Sequence, residues 1–376
     1  MTTIELFLKL VRNALWRSEE GLPEELSANM AANILRGAKE QGVQGLVNDA
    51  LLRNKVKMPE EQQLEMMVML MKVRQSNEEV NKGLRRLKEL FDDRGIDYAV
   101  VKGQVAGSYY PDPTLRMAGD IDYYCDAQNF PKAQEVVKEA WGIKADANGS
   151  LCHIHYDYKG IIYEGHFALT RFYSKKMDCY WQQLVDDNLN ENDNDNPNPN
   201  LNENEKGKVR VKVDNIEVRT LAPTIHVLYV FVHLYSHLMG LGVGIRQFCD
   251  MAVMLHACRE DIEHERLHEI LRIFGMERAF RAVGCILTDY LGMPKQELGY
   301  ELTERDRRYA KRIFAIVRYR GNMGHYNKTS GSSGWRHNLE SAAIKLAHFV
   351  KLWPLAPAYS FRWIAYEMTK KLRFEC

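Results

Sequence analysis

Apolar residues return at three- and four-residue steps through the first quarter of the chain, at Leu64, Met67, Leu70 and Met71 and again at Val80, Leu84, Leu87 and Phe91. That spacing predicts helices that each bury one face, and Gly95 stops the run. The period then shortens. Residues 97–101, Asp-Tyr-Ala-Val-Val, are β-branched in part and lie between Gly95 and Gly103, which predicts a short strand. Residues 103–110 predict a short helix or turn, and 120–125 the next strand. Asn129 is expected to cap a helix that begins near Pro131, carries Val136, Val137 and Ala140, and ends at Gly142. Two further strands are expected at 151–158 and 161–169, joined by a hairpin-like turn at Lys159-Gly160. Residues 208–218 alternate through Val209, Val211 and Val213, then Ile216 and Val218, and predict a strand or hairpin returning to the same sheet. From Pro223 the helical period resumes, over 224–239, 245–259, 262–274, 276–290, 303–319 and a last stretch from about Trp335.

Three regions follow: a helical leader over residues 1–95, an α/β region over 96–220 and a helical rear over 221–376. The expected class is α+β, a small mixed sheet flanked by helices on both sides in sequence. Within the middle region, asparagine takes every second position from Asn188 to Asn204, mixed with acids and two prolines. A tract of this kind, 187–206, buries too little apolar area to offset its ordering entropy and is expected to be disordered. Residues 322–334, with Ser330-Gly-Ser-Ser-Gly334, are expected to form a flexible loop.

Composition narrows the function more than the fold. The chain is 45% hydrophobic and 27% charged, with a net charge of +1, which argues against broad nonspecific nucleic-acid binding. The tract at 187–206 holds six acids against one base, so the remainder is mildly basic, as suits a phosphate-bearing small molecule. The seven cysteines, Cys125 to Cys376, are scattered without a Cys-x-x-Cys pair and read as reduced thiols in a cytoplasmic protein. Glu5, Lys9 and Arg12 interrupt the first apolar stretch, so no signal-peptide core is expected. The most apolar stretch, 221–244, contains His226, His233 and His237 and reads as a buried helix rather than a membrane span.

The densest chemistry lies between Lys102 and Tyr124. Asp120 and Asp122 are one residue apart in a predicted strand, so their side chains share a face, roughly 6–7 Å apart at Cα, while Ile121 turns to the core. Paired carboxylates on one face suit Mg²⁺, which takes oxygen ligands together with phosphates. A strand, a glycine turn with a short helix, and a strand bearing Asp-x-Asp is the layout of the nucleotidyltransferase fold typified by DNA polymerase β. The run Tyr98-Ala-Val-Val-Lys-Gly103, Tyr109-Tyr-Pro111, Arg116 and Gly119-Asp-Ile-Asp122 resembles an uncharacterised bacterial nucleotidyltransferase family. The likeness in motif spans residues 98–124.

The resemblance implies transfer of a nucleoside monophosphate from a nucleoside triphosphate to a hydroxyl acceptor, which it leaves open as a small molecule, protein or RNA. It implies two Mg²⁺ ions bridged by Asp120 and Asp122. A third carboxylate is needed, and Glu164 is the choice: in Ile161-Ile-Tyr-Glu-Gly-His-Phe it shares one face with Ile162 and His166. Lys102, Gly103, Gln104 and Arg116 are expected to meet the nucleotide, with Arg246 as a further contact from the helical rear. The turn departs from the superfamily pattern, in which a Gly-Gly or Gly-Ser pair stands where this chain has Gly103-Gln104. That departure supports the alternative reading, a catalytically inactive interaction or regulatory module.

Rival groupings are weaker. His153-x-His155, and His233 with His237 ahead of Asp250, suggest a second metal site, although no glutamate follows His233 as in zinc proteases and packing explains the helical pair. Arg246 and Asp250 read as an ion pair within one helix. Tyr109 and Tyr110 either stack on a base or close the turn over the core. The basic, aromatic end, Phe361-Arg-Trp to Lys370-Lys-Leu-Arg373, has the character of a membrane-surface helix, though packing of a terminal helix on the bundle is favoured.

Overall fold

A computed structural model describes residues 1–18, 21–143, 150–190, 209–321 and 335–374. The chain divides into two compact units, one of residues 1–72, 231–259 and 263–376, the other of residues 73–230 and 260–262.

The first unit is helical among its described residues. It holds α1 (Thr3–Trp16), α2 (Ala28–Glu40), α3 (Gln44–Arg53), the start of α4 (Glu60–Asp93) and the end of α8 (Pro223–Met239). With them go α9 (Ile245–Ala257), α10 (His264–Phe274), α11 (Glu277–Cys285), α12 (Glu304–Arg320), α13 (Trp335–Leu352) and α14 (Pro357–Phe374). Capping boxes at Thr2/Glu5 and Thr303/Asp306 start α1 and α12. Gln41 ties the leading helices to the later ones: its Nε2 donates to the Val317 carbonyl and its Oε1 accepts from the Ile245 amide, each at 3.0 Å. No helix among the described residues is long and apolar enough to cross a membrane.

The second unit contains a four-stranded mixed sheet of β1 (Ala99–Val101), β2 (Ile121–Tyr124), β3 (His153–Tyr158) and β4 (Ile161–His166), in spatial order β1-β2-β4-β3. β2 pairs antiparallel with β1 and parallel with β4, and β3 closes the other edge antiparallel to β4. Lys159 and Gly160, at φ 55° and 76°, make the tight turn between β3 and β4, where glycine is at home and a lysine is not. One face of the sheet is apolar. Val80, Leu84, Leu87 and Phe91 of α4 pack there with Ile121, Tyr123 and Tyr163, joined by Val136 and Val137 of α6 (Asn129–Trp141). Phe91 meets Tyr98 and Tyr123 edge-on at 5.2 and 5.3 Å. Truncating such a buried ring costs about 3–5 kcal/mol. Gly83 lets α4 approach closely, since a Cβ there would stand 3.0 Å from Ile121 Cδ1. The opposite face of the sheet carries Asp122, Glu164 and His166, as the two-residue period requires. On that side α7 (Lys175–Asn190) is anchored through Asp186, which accepts from the Tyr124 hydroxyl at 2.6 Å.

Three expectations need correction. Residues 210–219 form a hairpin of β5 (Arg210–Val213) and β6 (Ile216–Arg219) that is a separate two-stranded sheet: its strands pair with each other, while Val213 and Val218 join the shared core and Val211 and Ile216 pack against it. Asn129 is the first helical residue of α6, not its cap; the Asp126 carboxylate accepts from the amides of Gln128 at 3.0 Å and Asn129 at 2.7 Å. Residues 187–190, at the head of the asparagine-rich tract, lie in α7, and the rest of that tract and the expected loop at 322–334 fall outside the described residues. The boundaries between the units fall inside helices, after Lys72 in α4 and after Val230 in α8, where an unbroken amphipathic pattern gives a sequence reading nothing to register.

Candidate active site

Residue Asp120 ends the approach to β2 and Asp122 lies within it; Glu164 stands directly beside Asp122 on the parallel neighbour β4. Carboxylate oxygens of Asp120, Asp122 and Glu164 all lie within 4.8 Å of one another. Asp122 is 3% exposed, which leaves its charge dependent on what the protein supplies. Two groups supply it. Lys102 Nζ donates to Asp122 Oδ1 at 2.7 Å, and His166 Nε2 meets the same oxygen at 2.8 Å.

The electrostatics follow from burial and crowding. Burial opposes the Asp122 charge, but Lys102 and His166 outweigh it and hold the carboxyl well below its ordinary range. Burial likewise opposes the Lys102 charge, and Asp122, Tyr229, Glu164 and Asp120 together keep the ammonium well above its usual value. Burial first, and then Asp122 against the opposing pull of Lys102, push Glu164 up to about 8. Burial and then Lys102 press His166 downward, so its ring is neutral and donates Nε2–H to Asp122. Three converging oxygen donors with excess negative charge fit a hard divalent cation. A second close-set group, His153, Glu164 and His166, shares Glu164 with the first. His153 Nε2 stands 3.9 Å from Glu164 Oε1, with its ring pressed down to about 4 by burial, His166 and Lys102. His155 lies opposite Glu164 in the register.

The turn that presents Lys102 is strained. Lys102 sits at φ 53°, ψ −124°, between β1 and α5 (Gly103–Ser108), a backbone region that L-residues rarely occupy. Its amide donates to Nε2 of buried His226 at 3.2 Å, and its ammonium lies 5.4 Å from the centre of the Tyr229 ring, both on α8. Accepting at Nε2 fixes His226 as the neutral Nδ1–H tautomer. Gly103 permits the next contact, because a Cβ there would come 3.2 Å from the Asp120 carbonyl oxygen. The Gln104 side chain is buried and its amide donates to Asn81 of α4, so the departure from Gly-Gly at this turn is a tie to the helix behind it.

Residue Arg116 is buried and its guanidinium donates to the Met117 carbonyl at 3.3 Å, in the loop that leads to Asp120. Asn77 of α4 pins that loop: its Nδ2 donates to the carbonyls of Thr114 at 2.9 Å and Arg116 at 2.7 Å. Tyr110 is buried and Tyr109 packs on the core. The α/β unit thus brings together Asp120, Asp122, Glu164 and Lys102, flanked by Gly103 and Gln104, with Arg116 on the loop into the site. Arg246 lies on α9 of the helical unit. His233 and His237 stack edge-on at 4.4 Å and belong to neither donor group found among the described residues.

Asn77, Asn81, His226 and Tyr229 were not expected at the site from the sequence, in which His226 is read only as part of a buried helix. Asn77 had a signal, an amide on the apolar stripe that runs from Val73 through Val80 and Leu84. His226 had none, since nothing local links it to a turn 124 positions earlier.

A mixed sheet with a glycine turn ahead of an Asp-x-Asp strand defines a nucleotidyltransferase-like class. The family model described as uncharacterised nucleotidyltransferase matches residues 28–292, and the chain belongs to that family. No curated protein and no solved structure matches it.

Proposed function

We propose that this protein transfers a nucleoside monophosphate from a nucleoside triphosphate to a hydroxyl acceptor in a magnesium-dependent reaction. The observation that carries the reading is the convergence of Asp120, Asp122 and Glu164 donors within 4.8 Å on adjoining strands, with the Lys102 ammonium beside them. Family membership supports it.

Asp120 and Asp122 would hold Mg²⁺, two ions in the fullest form, and Glu164 would hold the ion on the acceptor side. Bound metal supplies neutralisation of the triphosphate and a lowered acceptor pKa. The acceptor oxygen attacks the α-phosphorus in line, the new P–O bond forms as the bond to pyrophosphate breaks, and the acceptor proton passes to solvent. Lys102, whose ammonium lies beside the carboxylates, would offer its charge to the β- or γ-phosphate. His166 keeps Asp122 oriented through Nε2–H, and Asn77 with Arg116 hold the loop that delivers Asp120. Catalysis of this kind is positioning and charge compensation. The acceptor belongs to no class fixed by these residues: a sugar, an antibiotic-like alcohol, or a hydroxyl on protein or RNA each satisfies the chemistry.

Thermal stabilisation by ATP, CTP, GTP and UTP, each with and without Mg²⁺, tests the reading in wild type and Asp122→Ala. Metal-dependent stabilisation lost in the variant is expected. No response to any nucleotide would favour the inactive module instead. Incubation with α-labelled triphosphates and cell extract then reads which class of molecule takes the label.

A further inference from the structure

Every exposed residue of α13 between Leu339 and Val350 is apolar: Leu339, Ala342, Ala343, Leu346, Ala347 and Val350. Leu339, Leu346 and Val350 are 60%, 56% and 62% exposed. Steps of three and four residues place all six on one stripe. The polar side chains of the same helix turn elsewhere. Lys345 pairs with Glu367 of α14, and buried His348 meets the Gly240 carbonyl through Nδ1 at 3.0 Å. Beyond the stripe the apolar surface continues through Trp353 and Phe361, both exposed, with ring centres 5.7 Å apart. From Leu339 to Trp353 the face runs about 20 Å at 1.5 Å per residue. A continuous apolar face of this length facing water marks an interaction surface.

Charge selects the partner. Residues 335–376 carry seven lysines and arginines against three glutamates, in a chain whose net charge is only +1. Arg336 and Lys351 stand at the two ends of the exposed face. A second copy docked about a twofold axis would bring basic ends together and meet repulsion. An anionic bilayer accepts both features, taking the apolar stripe into the boundary between headgroups and acyl chains and the basic rim against the phosphates. With no spanning helix among the described residues, the geometry is that of a helix lying in the interface. We propose that α13 and α14 dock this protein on an anionic lipid surface through the Leu339–Val350 stripe, Trp353 and Phe361. The inference is independent of the nucleotidyl-transfer reading.

Co-sedimentation of the full-length protein with large unilamellar vesicles tests it, using phosphatidylcholine alone and phosphatidylcholine mixed with phosphatidylglycerol. Binding to the mixed vesicles, weakened by added salt, and little binding to phosphatidylcholine alone are expected. The double variant Leu346→Glu/Val350→Glu loses binding. Lys351→Glu weakens it about fivefold or more, from about 1 kcal/mol per basic residue near such a surface. Because these side chains are exposed, thermal midpoints stay at the wild-type value, which separates lost docking from lost folding. Absence of binding to either vesicle, or binding that the double variant retains, overturns the proposal. So does a wild-type dimer in analytical ultracentrifugation that the double variant makes monomeric without any vesicle binding, which would assign the stripe to a second copy.

Discussion

The ammonium of Lys102 lies 2.7 Å from Oδ1 of Asp122, with the lysine side chain 13% and the aspartate 3% exposed. Two further carboxylates, Asp120 and Glu164, crowd the same spot. Lys102 therefore serves as a counter-cation of the cluster. Replacing it with methionine leaves three acids facing one another across a poorly solvated space, a loss of about 3–5 kcal/mol for a broken buried pair. If Mg²⁺ binds as proposed, it then has no lysine to displace. The Lys102→Met protein should melt well below wild type without Mg²⁺ and gain more than wild type when Mg²⁺ is added, as read by differential scanning fluorimetry. Equal gains in the two proteins would show that lysine and metal do not share the position.

The contrast between Lys102 and Asp122 shows where sequence is informative and where it stops. Asp120 and Asp122 were legible as a pair because strand periodicity is local and alternation alone places them on one face, whereas Glu164 was singled out through the family resemblance and its place beside Asp122 comes from the β2–β4 pairing. What Lys102 touches depends on a left-handed backbone turn and on His226, far along the chain, and neither leaves a local trace. The hairpin at 210–219 illustrates the same limit, since alternation reveals strands but not their partners. The start of α6 failed for a smaller reason. Asp126 and Asn129 are both good capping residue types three positions apart; Asn129 is taken into the helix, Gln128 precedes it without a side-chain cap, and Asp126 accepts from the first amides.

His226 makes a pH prediction. Burial presses its ring down to about 3, against an ordinary value near 6.5, and its Nε2 is occupied by the Lys102 amide. As pH falls the unfolded chain takes up this proton before the folded one does. Stability from the neutral ring is thus complete above about pH 6.5 and is lost progressively as pH falls from there towards 3, at about 1.4 kcal/mol per pH unit. Urea midpoints measured from pH 7 to pH 4 should fall less steeply in His226→Gln than in wild type. Parallel slopes in the two proteins would place the proton uptake elsewhere.

Gly165, between Glu164 and His166, faces Tyr123 across the β2–β4 pairing. A Cβ at this position would stand 2.5 Å from the Tyr123 hydroxyl oxygen and 2.7 Å from the ring carbon that bears it. The ring has little room to yield, because Phe91 holds it edge-on at 5.3 Å and its hydroxyl is 3.1 Å from that of Tyr156. Gly165→Ala should therefore destabilise by about 1–3 kcal/mol through overpacking. The added strain sits between Glu164 and His166, so transfer activity should fall as well. Tyr123→Phe removes the nearest atom but not the ring carbon behind it, so the double variant Gly165→Ala/Tyr123→Phe should recover part of the loss and not all. A double-mutant cycle in urea denaturation reads this directly. A coupling energy near zero would mean that the two strands accommodate the methyl group by sliding apart, in which case Glu164 would shift away from Asp122 and activity would fall further than stability.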